Sequence, residues 1–494
     1  MSVSQITLCR AWASLCTTRY IVCNGRGTIM DRSSTAIGLL IAVVVVVVAV
    51  VVTSSDSSEP QAETSNAVVA DASSGADNAT EADDTAADSE TTASTDADDS
   101  TADSETTSGT DDTAADSETT SSGASAAAIP AGQDPNCEDP FAGQTVRFRT
   151  SFWENTNFCL HTVDYSEIRS GGPPPDGIPP IDDPQFETIE SASEWLQPQS
   201  PVLAVEIDGV ARAYPLSIMI WHEIANDVIA DTPVAVTYCP LCNSGIVYNR
   251  EVNGEVLRFG VSGNLRNSDL IMWDDKTQSW WQQLTGEAIV GDMVGTMLEF
   301  IPSQMVSFGA FMEQFPDGEI LSLDTGFSRR YGSSPYAGYE SNSRPFLFEG
   351  DVDDRLPATE RVLAGQIGGE AIAYPFSELE SVGVINDTVG GNDVVAIWQP
   401  GATAALDGAI IDSSRDVGMA ALYSRELNGQ VLTFVRNDDG TIIDEQTGST
   451  WNVFGTAIDG ELEGSQLRQV NGAPHFWFAW AAFRPDTEVF GIET

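Results

Sequence analysis

Apolar and polar positions alternate in short runs over residues 202–494, and this pattern predicts many short β-strands. Residues 234–238 form a short apolar and β-branched run typical of a buried strand, which Pro240 should end. Asn-Gly pairs at 253–254 and 428–429 separate apolar runs, as in type I′ hairpins. Apolar residues at helical spacing predict a helix over 216–228. We therefore expect a β-rich α+β fold with short helices.

The same pattern occurs twice along the chain. Residues 202–215 match residues 362–375 at an offset of 160, and residues 253–259 match residues 428–434. Such self-similarity is typical of repeated structural units. We predict two tandem copies of one small barrel- or sandwich-like domain, related by internal duplication. The copies span 202–321 and 362–494, and a linker spans 322–361.

The residues before the first copy differ sharply in composition. Residues 1–35 form a leader, with Met30 as an alternative start, and residues 36–52 are uninterrupted apolar residues. Residues 53–135 are rich in Ser, Thr, Ala, Asp and Glu, which predicts a disordered acidic stalk. Residues 136–201 are a Pro/Gly-rich lead-in. We expect 36–52 to be a signal anchor or the core of a signal peptide, placing the folded part outside the cell membrane.

Charge and motifs exclude several partners and cofactors. The chain has 74 acidic and 22 basic residues, a formal net charge of −52. Such a surface repels nucleic acid, so nucleic acid is excluded as a partner. We expect the N-terminal apolar helix to contact the membrane, and the choice between a small-molecule and a protein partner stays open. The sequence has no nucleotide, flavin or haem motif.

A Cys-x-x-Cys pair, Cys239 and Cys242, follows the buried strand at 234–238. This spacing lets two sulfurs chelate one ion. At the offset of 160, a group of chemically active residues in the first copy falls on inert ones in the second: His222 on Val382, Glu223 on Gly383, Cys239 on Gln399 and Cys242 on Ala402. Their joint absence indicates one site, and a degenerate second copy.

The residues leave three functions open. The preferred one is a copper or zinc site formed by His222, Cys239 and Cys242, because thiolate and imidazole suit these metals. The alternatives are thiol–disulfide exchange by Cys239 and Cys242, and a non-enzymatic surface or binding module with a structural disulfide.

Further residues complete the candidate set, although whether the protein is an enzyme stays open. His161 or His475 is the alternative fourth metal ligand, and the candidate catalytic residues are Glu223, Arg266 and Asp269. Cys137 and Cys159 are predicted to form a disulfide that pins the lead-in.

Several segments together resemble a known family. They are residues 171–179, 222–227, 236–242, 265–269, 280–287 and 331–336. Over about 140–494 the chain is similar to the bacterial and archaeal family called domain of unknown function 3179. The resemblance implies domain limits, and it brings no established activity.

Overall fold

The computed structural model describes residues 134–492. The predicted leader, the segment 36–52 and all but the last two residues of the stalk lie outside this range. Within it the fold is β-rich with a few short helices, as the sequence predicts. No helix among residues 134–492 is both long and apolar enough to cross a bilayer.

The lead-in is closed on itself by one disulfide, and two of its strands pair with strands of the following residues. Cys137 and Cys159 are joined, with their Cα atoms 5.6 Å apart. Strand β1 (Ile168–Ser170) pairs with a strand of the first series, and β2 (Phe186–Thr188) pairs with another. A single-turn helix, α1 (Ile189–Ala192), follows β2.

A first series of elements then spans residues 201–321. Its members, in chain order, are β3 (Pro201–Ile207), β4 (Val210–Pro215), α2 (Leu216–His222), β5 (Ile224–Ile229), β6 (Thr232–Cys239), β7 (Ser244–Asn249), β8 (Glu251–Val252), β9 (Glu255–Val256), β10 (Phe259–Arg266), β11 (Asp269–Asp274), β12 (Trp280–Gln282), β13 (Ala288–Val290), β14 (Glu299–Ile301), β15 (Ser303–Ser307), α3 (Phe308–Gln314) and β16 (Glu319–Leu321).

A second series spans residues 361–489. Its members are β17 (Arg361–Ile367), β18 (Glu370–Pro375), α4 (Phe376–Val382), β19 (Val384–Val389), β20 (Asn392–Gln399), β21 (Met419–Ser424), β22 (Glu426–Leu427), β23 (Gln430–Val431), β24 (Phe434–Arg436), β25 (Ile442–Asp444), β26 (Thr450–Trp451), β27 (Ala457–Asp459), β28 (Gly472–Phe476), α5 (Trp477–Phe483) and β29 (Glu488–Val489).

The two series pair their strands in the same order. The sheet β15-β3-β4-β16 corresponds to β28-β17-β18-β29, and in both the last pair is parallel. The sheet β7-β6-β5 corresponds to β21-β20-β19, and β10-β11-β12-β13 corresponds to β24-β25-β26-β27. Strand β14, which pairs with β7, has no counterpart in the second series.

Matching hydrogen bonds accompany the matching strands. The Asn226 side chain bonds both the N–H and the C=O of Phe259, and Asn386 does the same with Phe434, at 2.8–2.9 Å. The predicted turn at 253–254 joins β8 to β9, and Asn253 has a positive φ of 54° there, as a type I′ turn requires. The sequence pattern therefore located these local structures correctly.

The predicted helix over 216–228 is shorter in the structure. Helix α2 ends at His222, and β5 begins at Ile224. The residue between them, Glu223, has φ 60° and ψ −30°, outside the right-handed helical region. This backbone conformation ends the helix and sends the following residues into a strand.

The two series share their largest apolar core. Buried residues of this cluster come from both, including Val236 and Tyr238 of β6, Val362 and Ala364 of β17, and Phe476 of β28. The linker also contributes, through Tyr339 in its one 3-10 turn (Tyr339–Ser341). The two series consequently share this cluster, and the second series has two smaller clusters of its own.

Candidate functional site

Cys239 and Cys242 lie at opposite ends of a tight turn between β6 and β7. Cys239 ends β6, and Pro240 opens a 3-10 turn (Pro240–Cys242) because its fixed φ and missing N–H suit the first helical position. Asn243 then takes a left-handed conformation, which returns the chain into β7. Both cysteines are free thiols, buried at 2% and 0% exposure.

Asp269 joins the two sulfurs from a different hairpin. It is the first residue of β11, after a two-residue turn in which Asn267 and Ser268 both have positive φ. One ligand atom from each of Cys239, Cys242 and Asp269 lies within 4.8 Å of the other two. The Ser268 carbonyl lies 3.8 and 3.6 Å from the two sulfurs. We call these three residues the Cys-Cys-Asp group.

The Asp269 carboxylate is held by one oxygen only. Its Oδ2 accepts hydrogen bonds from Gln282 Nε2 at 2.7 Å and from the Leu284 N–H at 2.9 Å. Its Oδ1 is buried and accepts no hydrogen bond of ordinary geometry in the described part of the chain, although the Cys239 and Cys242 thiols are near enough to oppose the rise in the pKa of Asp269. Buried polar atoms are almost always paired, so this oxygen is available for a ligand.

Glu223 brings a second carboxyl group to the same interior. It is 7% exposed, and its charge and that of Asp269 act on each other. Burial, and then the charge of Asp269, raise the pKa of Glu223 to about 8. Burial also raises the pKa of Asp269 to about 6. Each carboxyl group is therefore destabilised in its charged form when no cation is near.

The two thiols share this environment. Burial raises the pKa of Cys239, and burial together with the neighbouring Cys239 thiol raises the pKa of Cys242. Thiols that perform disulfide exchange have a lowered pKa, usually beside a positive charge or a helix N-terminus. At this site the pKa of both thiols is raised instead of lowered.

The linker covers the site. The Tyr339 hydroxyl donates a hydrogen bond to the Leu241 carbonyl, inside the Cys-x-x-Cys turn, at 3.0 Å. The Ser268 hydroxyl donates to the Phe346 carbonyl at 2.6 Å. Residues 322–361 are thus bound to both loops that carry the Cys-Cys-Asp group, which explains why the group is shielded from water.

His222, which was predicted to join Cys239 and Cys242, lies outside the Cys-Cys-Asp group. Its Nδ1 lies 2.7 Å from the Pro179 carbonyl and its Nε2 lies 2.7 Å from the Tyr331 hydroxyl. A carbonyl only accepts, so Nδ1 carries the proton and Nε2 accepts from the tyrosine. Both ring nitrogens therefore already have hydrogen-bond partners.

The two alternative histidine ligands also lie outside the group. His161 Nδ1 is 2.8 Å from the Val163 carbonyl, within the lead-in. His475 lies in β28 and stacks on Trp480, with ring centroids 5.2 Å apart. Neither histidine belongs to the three residues whose ligand atoms converge.

Of the three candidate catalytic residues, Glu223 and Asp269 lie in the site's interior and Arg266 does not. Arg266 forms an ion pair with Glu167 at 2.7 Å, and its guanidinium lies 5.3 Å from the ring centre of Phe483. Its role in the structure is to fasten the lead-in to the first series.

The second series has no equivalent site. Gln399 ends β20 where Cys239 ends β6, and its side-chain oxygen accepts from the Val453 N–H at 2.9 Å. Asp269 has no counterpart, because fifteen residues separate the matched positions 259 and 274, whereas ten separate 434 and 444. The longer hairpin of the first series places Asp269 beside the sulfurs.

Comparison with known proteins gives the family and little more. Residues 175–487 match the family described as Protein of unknown function (DUF3179). No curated protein and no solved structure matches the chain. The match spans more than half of the chain and includes every residue of the Cys-Cys-Asp group as well as Glu223. The chain therefore belongs to the DUF3179 family of proteins of unknown function.

Proposed function

We propose that this protein binds one metal ion through Cys239, Cys242 and Asp269. The observation that carries the proposal is the unpartnered, fully buried Oδ1 of Asp269 next to two free thiols. A buried carboxylate oxygen without a donor is costly, and a cation bonded to it removes that cost. The sulfurs supply two further bonds to the same ion.

The donor atoms favour zinc over copper. Cu(I) prefers soft sulfur ligands, whereas zinc accepts thiolate and carboxylate together. Two sulfurs and one oxygen leave one position of a tetrahedral zinc open. Glu223, whose charge acts on that of Asp269, is our candidate for that position, as a fourth ligand or as a base for a zinc-bound water.

Thiol–disulfide exchange has less support. Burial raises the pKa of both thiols, and no salt bridge of the described residues involves Glu223 or Asp269. A reactive dithiol needs the thiolate form near neutral pH. A metal ion would stabilise the thiolate form, because its positive charge compensates the negative charges of the sulfurs and carboxylates that bind it.

Metal analysis of protein purified under reducing conditions tests the proposal. We expect about one equivalent of zinc, which is lost in a Cys239→Ser/Cys242→Ser variant. A Cys137→Ser/Cys159→Ser variant, which removes the disulfide, is the matched control and retains the zinc. Copper in place of zinc would overturn the choice of metal. Absence of metal, with a Cys239–Cys242 bond that forms reversibly in a glutathione buffer, would favour dithiol exchange instead.

We also infer that the two series arose by duplication of one unit. Support comes from the common strand order and from the repeated Asn226–Phe259 and Asn386–Phe434 hydrogen bonds. An experimental structure tests this by superposition of residues 202–321 on residues 362–494. Different strand connections in the two parts would contradict it.

The location of the folded region is a further proposal. We infer that it lies outside the cytoplasmic membrane, tethered by residues 36–52. The Cys137–Cys159 disulfide supports this, because stable disulfides persist mainly in oxidising compartments. Protease added to intact cells should release the folded region, whereas digestion that requires cell lysis would contradict the inference.

A further inference from the structure

A cavity lies between the two series. Its volume is about 170 Å³, and its walls come from β7 and the segment 284–300 on one side and from β17, β28 and Arg484 on the other. An apolar cavity of about 150 Å³ can hold a molecule the size of benzene. The space is therefore large enough for a small organic ligand.

Arg484 lines this cavity without a carboxylate partner. It is the residue after α5, and its Nη1 donates to the Phe483 carbonyl at 2.9 Å. Nine of the seventeen arginines among residues 134–492 form ion pairs, and Arg484 is one of the eight that do not. Glu287 contributes a favourable charge interaction from a greater distance. In so acidic a chain, an unpaired guanidinium at a cavity indicates a place for an anion.

His475 supplies a second polar group at the cavity. It is 2% exposed, and its Nδ1 has no hydrogen-bond partner among residues 134–492. Burial lowers the pKa of His475 to about 3, so the ring is neutral at physiological pH. A neutral imidazole offers one donor and one acceptor, and an unused buried nitrogen is uncommon in a folded protein.

The other walls are mixed, since Thr285, Gln366 and Asn471 contribute polar groups beside the apolar side chains. Ile246, Leu284, Phe300 and Trp480 line the cavity. A ligand that combines a negative group with an apolar body fits this lining, because its charge can face Arg484 while its body lies against the apolar side chains.

We propose that this cavity binds a small organic carboxylate, with its charge on Arg484, a hydrogen bond from His475, and its apolar body against Trp480. The inference does not rest on the metal centre. The two sites are adjacent, because Leu284 lines the cavity and its N–H donates to Asp269 Oδ2 at 2.9 Å. A ligand in the cavity would therefore lie next to the segment that positions one metal ligand.

Titration calorimetry on the full chain with benzoate and with benzamide tests the proposal. These probes have nearly the same shape and differ in charge. We expect one saturable benzoate site, with a dissociation constant at least about tenfold below that of benzamide, because a charge-assisted hydrogen bond is stronger than a neutral one. Equal affinities, or no saturable benzoate binding, would overturn the proposal without any variant.

Two substitutions assign the site. Arg484→Gln should weaken benzoate binding by at least about tenfold and leave benzamide binding unchanged, since it removes charge and keeps hydrogen-bonding capacity. Arg468→Gln is the matched control, because Arg468 is exposed and does not line the cavity. Arg484→Lys should recover part of the loss. A loss in Arg468→Gln equal to that in Arg484→Gln would contradict the site.

Discussion

Glu223 and Gly383 adopt the same backbone conformation at the ends of two corresponding helices. Their φ and ψ are 60° and −30° for Glu223, and 77° and −29° for Gly383. Each carbonyl accepts a hydrogen bond at 2.8 Å from the neighbouring strand, Glu223 from Tyr238 and Gly383 from Trp398. Glycine takes this conformation freely, whereas any other residue pays for it in strain. The first series therefore carries a glutamate where its backbone favours glycine.

That relationship predicts a trade between stability and metal binding. Glu223→Gly should raise the free energy of unfolding of the metal-free protein by about 1 kcal/mol, because it relieves a positive φ. The same variant should bind zinc more weakly, because it removes the carboxyl group. Urea denaturation and zinc titration measure the two effects.

Asn253→Gly is the matched control for this variant. Asn253 also has a positive φ, of 54°, but it lies in a hairpin turn far along the chain from the site. Asparagine tolerates this conformation, so its replacement should change neither quantity appreciably. If Glu223→Gly lowered the free energy of unfolding relative to the control, the backbone at Glu223 would not be strained.

Asp269→Asn should lower zinc affinity while the protein stays folded. The amide keeps the shape of the side chain but removes the negative charge from Oδ1, so we expect a loss of at least about tenfold. Competition with a zinc-sensitive chelating dye measures it.

Asp274→Asn is the control for Asp269→Asn, since Asp274 is equally buried in the same hairpin. Its carboxylate accepts from the Thr277 N–H at 2.7 Å and from Trp281 Nε1 at 2.9 Å, so its role is to hold the turn. It should cost stability and leave the affinity of the folded protein for zinc intact. An equal loss of affinity in both variants would remove Asp269 from the ligand set.

His222→Gln should retain zinc at full stoichiometry. Its ring nitrogens bond Pro179 and Tyr331, so the variant loses buried hydrogen bonds and about 1–3 kcal/mol of stability instead. Tyr331→Phe should have a smaller effect of the same kind. Loss of zinc from folded His222→Gln would restore the histidine to the metal site.

His475 predicts a dependence of stability on pH. Burial lowers its pKa to about 3, so between about pH 6.5 and 3 the unfolded chain binds a proton that the folded chain does not. Stability therefore falls as the pH decreases through this range. From pH 7 to pH 5 the wild type should lose about 2 kcal/mol more than His475→Gln does. Equal losses in the two proteins, measured by urea denaturation at high salt, would show that His475 is not held neutral.

The sequence predicted the local structures and part of the site. Hairpin turns and the end of β6 follow from Asn-Gly pairs and from Pro240, which act locally. His222 lies outside the Cys-Cys-Asp group with its ring on Pro179 and Tyr331, and the positive φ at Glu223 ends the helix directly after it. The sequence pattern did not reveal that φ, although the glycine at position 383 was a signal.

Asp269 was predicted as a catalytic candidate and not as a partner of the sulfurs. Its approach to Cys239 and Cys242 depends on the pairing of β10 with β11 and on the position of their hairpin over the Cys-x-x-Cys turn. Such contacts join residues distant in the chain, and no local pattern specifies them. The extra length of this hairpin relative to 434–444 is the sequence feature that could have indicated a special role.

X-ray absorption spectroscopy of the zinc-loaded protein tests the proposed metal centre most directly, because it reports the ligand atoms themselves. We predict two sulfur atoms at about 2.3 Å and oxygen ligands at about 2.0–2.2 Å, without the additional scattering of an imidazole ring. A spectrum with no sulfur, or with an imidazole in place of the carboxylate oxygen, would contradict a centre formed by Cys239, Cys242 and Asp269.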